Sequence, residues 1–378
     1  MGLNKIRLGD YIIRSTQNNR DLKYGVELIS GVTSQGVFAI PKGDPIDVNL
    51  KPYKIVNNGA FVYNPTRLDL GSIAYRADGL CIVSHLYMVF YLTEEGKRII
   101  DPTWLYIYFR RNEFLREVTF RNFGSQRPEF NFEDMSDIII PLPNLPTQQK
   151  YVDVYNAMVA NQQACERGLE DLKLTCDALI DKVKHTATKK TIRKLLVEVD
   201  NRNNNGAVTN VQGINITKQF MPSIADIAEV DLKKYKLVQN GQFAFSGMQT
   251  GRDECIRIAL YNEDIPTIIS PAYTVFETKD ESVIPEYIMI WFSRAETDRR
   301  GWFMSDSSIR TNLDLDRFYE IEVPIPDEKM QQAIVDIYTV YTLRRNTNEQ
   351  LKKQIKDICP ILIRGSLEDG GEPNGEPA

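Results

Sequence analysis

Apolar positions along this chain fall into two textures, and each texture occurs twice. The first is a series of short runs rich in β-branched and aromatic residues: Tyr53-Lys-Ile-Val56, Phe61-Val-Tyr63, Tyr87-Met-Val-Phe-Tyr91, Phe243-Ala-Phe245 and Tyr273-Thr-Val-Phe276. Runs of this length bounded by turn residues predict strands, and the Asn58-Gly59 and Asn240-Gly241 dipeptides predict hairpin turns beside them. Bulky residues at helical spacing over residues 103–116 and 286–296 predict at least one helix packed on each sheet. The second texture is a 3-4 spacing of apolar residues, Leu169, Leu172, Cys176, Leu179 and Val183, then Leu351, Ile355, Ile358 and Leu362. That is a coiled-coil seam. Each seam follows a proline pair (Pro141 and Pro143, Pro324 and Pro326), with Asn144 and Asp327 placed to cap the helix.

These textures recur because the chain is an internal repeat. Residues 47–61 (DVNLKPYKIVNNGAF) return as 229–243 (EVDLKKYKLVQNGQF) with nine of fifteen identical, and residues 125–155 return as 308–338 with ten identities. Between these blocks Ser84-x-x-Tyr87 pairs with Ser270-x-x-Tyr273. The shift stays within a few residues of 183, so one unit has been duplicated in tandem. An α+β fold is expected, a strand-rich domain followed by a long helix, twice over. The helices expose equivalent stripes, interrupted by polar middles near Gln162–Glu166 and Arg344–Asn348, and are expected to pair as an antiparallel coiled coil through Leu169, Leu172, Cys176, Leu179, Leu351, Ile355, Ile358 and Leu362. Domains at 1–145 and 187–326, helices at 146–186 and 327–365, and a disordered acidic tail at 366–378 complete the expected layout. Each helix, about 38 residues long at 1.5 Å per residue, would form a rigid spacer of about 57 Å.

Composition narrows the chemistry. The 378 residues carry a net charge of −5 and 42% hydrophobic residues, the profile of a globular protein. Four of the excess acids lie in residues 366–378, leaving the body at −1. No apolar run approaches a membrane span, and a cytoplasmic location is expected. Five cysteines without a CxxC pair argue against a disulfide framework and a thiolate metal site, and two histidines leave little for a His-based metal centre. Neither GxGxxG nor GxxxxGK[ST] is present. Asn64-Pro65-Thr66 and Ser270-Pro271-Ala272-Tyr273 do not fit the Asn-Pro-Pro-Tyr of amino-methyltransferases. Asp327-Glu328-Lys329 reads as a helix cap rather than a nuclease carboxylate set, and His85 as a structural residue in a strand.

The order domain, helix, domain, helix resembles the specificity subunit of type I restriction-modification systems. The resemblance runs from Ile6 to about Leu362. It is carried by Tyr63-Asn64 with Arg67 and Gly71, by Gly79 and Ser84-x-x-Tyr87, by Gly124-Ser-Gln-Arg127 leading to Pro141-Leu-Pro143, and by Gln148-Gln149. In the second copy Ser246-Gly247 and Arg252 stand in place of the Tyr-Asn-Arg arrangement, whereas Ser270-Pro-Ala-Tyr273, Ser308-Ile-Arg310, Pro324-Ile-Pro326 and Gln331-Gln332 remain. The resemblance implies a non-catalytic subunit with two target recognition domains, each reading half of a bipartite site in double-stranded DNA. It further implies that the paired helices set the gap and dock two methyltransferase subunits, which would carry S-adenosylmethionine, and that a restriction and translocase subunit can join. No metal or cofactor is expected on this chain. A stand-alone methyltransferase or nuclease, or a protein scaffold without a DNA role, is the alternative.

Arg and Lys suit phosphates and guanine edges, whereas Asn, Gln, Ser and Thr suit bases and backbone. In the first copy, residues 14–23 offer Arg14, Asn18, Asn19, Arg20 and Lys23; residues 63–67 offer Asn64 and Arg67; residues 121–127 offer Arg121, Asn122, Ser125 and Arg127. Their counterparts are Arg202, Asn203 and Asn204, then Ser246, Gln249 and Arg252, then Ser308, Arg310 and Asn312. Each cluster also reads as a solvated polar loop. Lys51, Tyr53 and Lys54 equal Lys233, Tyr235 and Lys236, so they cannot encode different half-sites, and readout belongs where the copies diverge.

Overall fold

A computed structural model describes residues 3–41, 48–122, 129–223, 230–248, 250–306 and 311–371. The chain divides into two units, residues 1–166 with 347–378, and residues 167–346. Both divisions fall inside the two long helices, Leu145–Thr186 and Glu328–Gly371.

In the first unit, strands Ile12–Arg14, Met88–Leu92, Phe61–Tyr63 and Ile73–Tyr75 form an antiparallel sheet in that spatial order. Alternation along a strand sends successive side chains to opposite faces. Phe61, Tyr63 and Phe90 therefore meet helix Pro102–Phe109 on one side, where Phe61 stacks on Phe90 at 5.1 Å and Phe109 stands edge-on to Phe61 at 6.0 Å. Val62 and Val89 meet Val56 and Val83 on the other, from strands Lys54–Val56 and Cys81–Val83, which pair with each other. A further pair, Asn4–Arg7 with Ile139–Leu142, leads into the first long helix.

The second unit repeats this order with Leu196–Val199, Thr274–Thr278, Phe243–Ser246 and Arg257–Leu260, and with Thr188–Thr191 against Glu322–Ile325. Strands Lys236–Val238 and Thr267–Ile269 here carry a hairpin, Val211–Ile214 with Phe220–Pro222, on the same sheet.

Two local expectations change, the hairpin at each Asn-Gly and the strand at His85, and the helices gain detail. Gly59 and Gly241 do take left-handed conformations, at φ +87° and +80°, but the strands flanking each belong to different sheets. The Asn-Gly turn passes the chain from one sheet to the other and closes no hairpin. Where at least one helix is expected over residues 103–116 there are two, Pro102–Phe109 and Asn112–Arg121, and the counterpart is likewise Pro285–Phe292 and Ala295–Met304. His85 lies in an exposed turn outside any strand.

The long helices start as the sequence indicates, with Asn144 Oδ1 accepting from Thr147 N at 2.9 Å and Asp327 Oδ1 from Met330 N at 2.9 Å. In the first unit the start of one helix runs antiparallel to the end of the other. Lys150 and Tyr151 reach Asp369 at 2.6 and 2.8 Å, Gln162 donates to Asn348 at 2.9 Å, and Lys352 pairs with Glu166 at 2.8 Å. The polar middle is thus a buried hydrogen bond within the seam. Of the expected seam residues, Ile358 and Leu362 pack into the core of the first unit, Cys176 and Leu179 into that of the second. Leu169, Leu172, Leu351 and Ile355 are only half-buried. The apolar stripes therefore serve domain docking as much as helix pairing. The second helix also extends beyond its expected end: residues 366–371 belong to it, with Ser366 buried and bonded to Trp104 Nε1 at 3.0 Å. Glu368 and Asp369, assigned by sequence to a disordered tail, pair with Arg364 and Lys150; residues 372–378 lie outside the described chain.

Candidate nucleic-acid interface

Strand direction decides which loops share an end of the sheet. In the first unit Arg14 pairs with Phe90 and Tyr63 with Met88 and Ile73, so residues 15–24 and 64–72 leave from one end. Phe130, which follows the third cluster, donates from its N to Pro65 O in the second loop at 3.0 Å. In the second unit Val199 pairs with Val275 and Ser246 with Arg257, and the loops at 200–210 and 247–256 again share an end. The segment after Ser305 joins them, through Leu313 N to Gly247 O at 2.8 Å and Gly251 N to Thr311 O at 2.9 Å. Among the described residues, two polar loops in the first unit and three in the second, separated by tens of residues, therefore share one end of their sheet. Leu22, Glu254 and Thr311 in or beside these loops hold φ of +52°, +49° and +48°, a region costly to residues other than glycine and most of all to a β-branched one.

Convergence does not make every candidate available. Asn19 and Asn203 are 2% and 0% exposed. Asn19 Nδ2 donates to Tyr24 O at 2.8 Å while Oδ1 accepts from Tyr24 N, and Asn203 does the same with Val208 O and N. Both staple their own loops and cannot read a base. Ser246 is buried and accepts from Met248 N, so it too is removed. Arg202 is held by Asp200 at 2.8 Å and by Lys234 O, and Asn18 occupies the equivalent place in the first unit, each bridging the lysine strand. Arg121 pairs with Glu117, and Arg252 with Asp253. Asn64 accepts from Thr66 N and Oγ1, and Asn312 N donates to Asp306; Asn122 is partly buried. Arg14, Arg20, Lys23, Arg67 and Asn204 are exposed. Ser125, Arg127, Gln249, Ser308 and Arg310 lie outside the described residues.

The two ends differ electrically although their lysines are identical. Lys54 Nζ donates to Tyr87 O at 2.6 Å; its partial burial, and then the nearby Arg14, push its pKa below the ordinary lysine value. The second unit has Glu198 at the position of Arg14. Lys236 there lies 3.9 Å from Glu198 and 3.5 Å from Asp200, and the Arg202 hydrogen bond, aided by Lys236, holds the Asp200 carboxyl below its usual range. One end presents paired cations and the other a neutralised network. The Ser-x-x-Tyr motifs prove to be turns, with Tyr87 N bonded to Ser84 O and Tyr273 N to Ser270 O, each at 3.0 Å.

A cavity of about 810 Å³ in the first unit lies between the domain and the helices, lined by Tyr106, Arg110, Tyr155, Gln162 and Lys352. Tyr106 donates to Gly36 O at 3.0 Å, and burial pushes its hydroxyl and that of Tyr155 upward in pKa, which suits structure rather than acid-base work. Among the described residues no cluster of His, Cys, Asp and Glu could hold a metal ion, and no helix is long and apolar enough to cross a membrane.

Comparison with known proteins places the chain. Residues 9–171 and 184–357 each match the type I restriction modification DNA specificity domain. The HindI type I restriction enzyme specificity subunit of Haemophilus influenzae is 22% identical over 149 residues, 39% of this chain and 32% of that protein's length. The chain also shares the fold of the type I restriction-modification S subunit from M. genitalium, at a TM-score of 0.58 and 12% identity over 99% of this chain and 97% of the other.

Proposed function

The chain belongs to the type I restriction modification DNA specificity domain family, and from that premise we propose that it is the subunit that chooses the DNA sequence, with one half-site read by each domain. The carrying observation is the convergence of divergent polar loops at one end of each sheet. Two domains built alike but lined by different residues suit an asymmetric bipartite site, since separation of the half-sites follows from protein geometry. The paired helices set the gap and receive two modification subunits, which would bring S-adenosylmethionine; this chain performs no chemistry itself. A nearly neutral body borrows much of its phosphate affinity from those partners, so the isolated chain binds weakly and salt-sensitively.

Bound to its modification subunits, the chain is expected to prefer one bipartite duplex and to lose that preference when either half is scrambled. Equal affinity for intact and scrambled duplexes would sink the reading. Arg252→Ala is expected to relax one position of the site at a cost of about 1–3 kcal/mol, whereas a uniform loss across sequences would reassign Arg252 to a phosphate.

A further inference from the structure

The helix after the sheet-packing helix is the same element in both copies, Asn112–Arg121 and Ala295–Met304. Three of its ten positions are identical between them: Glu113 and Glu296, Arg116 and Arg299, Phe120 and Phe303. Spaced i, i+3 and i+7, they share one helix face. The buried positions have diverged instead, Phe114 to Thr297 and Val118 to Gly301. Packing normally constrains the inside of a helix more tightly than its outside, yet here identity sits on the solvent side, with Phe120 81% and Phe303 84% exposed. A single exposed phenylalanine is unremarkable. One kept in register with an arginine a turn before it, in two helices otherwise unlike, marks a surface that meets the same chemistry twice.

We propose that this arginine and phenylalanine grip the DNA backbone beside each half-site, the guanidinium on a phosphate and the ring against the neighbouring sugar or base step. The inference rests on the specificity reading above and adds sequence-independent positioning residues to it. Continuity favours DNA over a protein partner. The second helix packs beside residues 250–253, where a Cβ on Gly301 would meet Ile256 and on Gly251 would meet Thr311, so Phe303 is within a turn of the reading loops. In the first unit Phe130, nine residues beyond Arg121, donates from its N to Pro65 O in the second loop. Charge favours the same ligand. Arg299 and Arg300 have no acidic partner among the described residues, while Glu296 is already bound by Lys184 and Arg294. Arg116 is held only by an exposed 3.3 Å pair to Glu113, which a phosphate can displace at little cost. Identical residues cannot distinguish two half-sites, so their contacts belong to the backbone or to a base step taken regardless of sequence.

The test compares wild type with Arg116→Ala/Phe120→Ala, Arg299→Ala/Phe303→Ala and all four changes, in complex with the modification subunits, on the preferred duplex and on a mixed-sequence duplex. Each pair is expected to lower affinity for both duplexes alike, roughly five-fold or more. Each lost arginine should reduce the slope of log K against log salt by about 1, and Arg→Lys should restore it. The faces are exposed, so thermal unfolding should be unchanged. Unaltered affinity and slope overturn the proposal, as does a loss confined to the preferred duplex, or intact DNA binding with weakened capture of the modification subunits. A wild-type complex without preference between duplexes would instead defeat the specificity reading itself.

Discussion

Gly36 and Lys218 stand at the same turn position of equivalent hairpins, with φ of +77° and +62°. A Cβ on Gly36 would lie 2.6 Å from Arg110 Nη1, because Arg110 comes up from the helix end, buried, to donate to Ser34 O and Gly71 O. The second copy has Ser293 at the place of Arg110. Lys218 reaches the other way, donating to Phe292 O and to Asp298 at 2.7 Å. One cation joins hairpin to helix in both, supplied from opposite sides. Gly36→Lys, Arg110→Ser and Leu115→Asp, which places an acid where Asp298 stands, should each destabilise the first domain by about 0.5–3 kcal/mol. The triple variant should cost less than their sum by about 1 kcal/mol or more, read by urea unfolding; strict additivity would show the exchange to be coincidence. Position by position, the substitutions look like unrelated drift, and only contact across 74 residues, from 36 to 110, links them. The same holds for Asn19 and Asn203. Residue type marks them as polar loop positions, but type cannot say whether an asparagine faces solvent or turns inward to satisfy its own backbone.

At the level of elements, the paired glutamines at each long-helix start divide their work. Gln148 and Gln331 are 0% and 1% exposed. Gln148 Oε1 accepts from Asp101 N at 2.8 Å while Nε2 donates to Ile99 O and Pro143 O; Gln331 repeats this with Ile284 N, Ser282 O and Pro326 O. The outer residues, Gln149 and Gln332, merely bond Asp153 and Asp336 one turn on. Gln331→Ala would orphan a part-buried donor and two acceptors. It should therefore cost at least about 1–3 kcal/mol in denaturant unfolding of the second unit, with Gln149→Ala near neutral; equal effects would deny the lock. Strands, caps and the 3-4 seam were legible because each depends on neighbours within a few residues. The Asn-Gly turns misled because the turn dictates its own backbone but not which strands pair beyond it. The break after Phe109 and after Phe292 is not legible because apolar spacing continues across it.

For the whole molecule, each unit takes its domain, half of one long helix and half of the other. If those helices set the gap between half-sites, a heptad inserted into both, in phase with the seam, adds about 10 Å. The gap should then widen by up to about three base pairs at 3.4 Å each, read by methylome sequencing of a host carrying the variant; an unchanged gap would remove the spacer role. The sequence by itself determined the duplication, the order of domain and helix, the helix starts and the surplus of acid near the C-terminus, since repeats, periodicities and caps are written in residues close together or at a constant shift. Tertiary structure alone decided the rest: that polar loops distant in sequence share one end of a sheet, that acids neutralise the lysine of one end and an arginine flanks that of the other, and that Glu368 and Asp369 belong to a helix. Those outcomes depend on which strand ends coincide and which side chains remain in water, and contacts between residues far apart in the chain settle both.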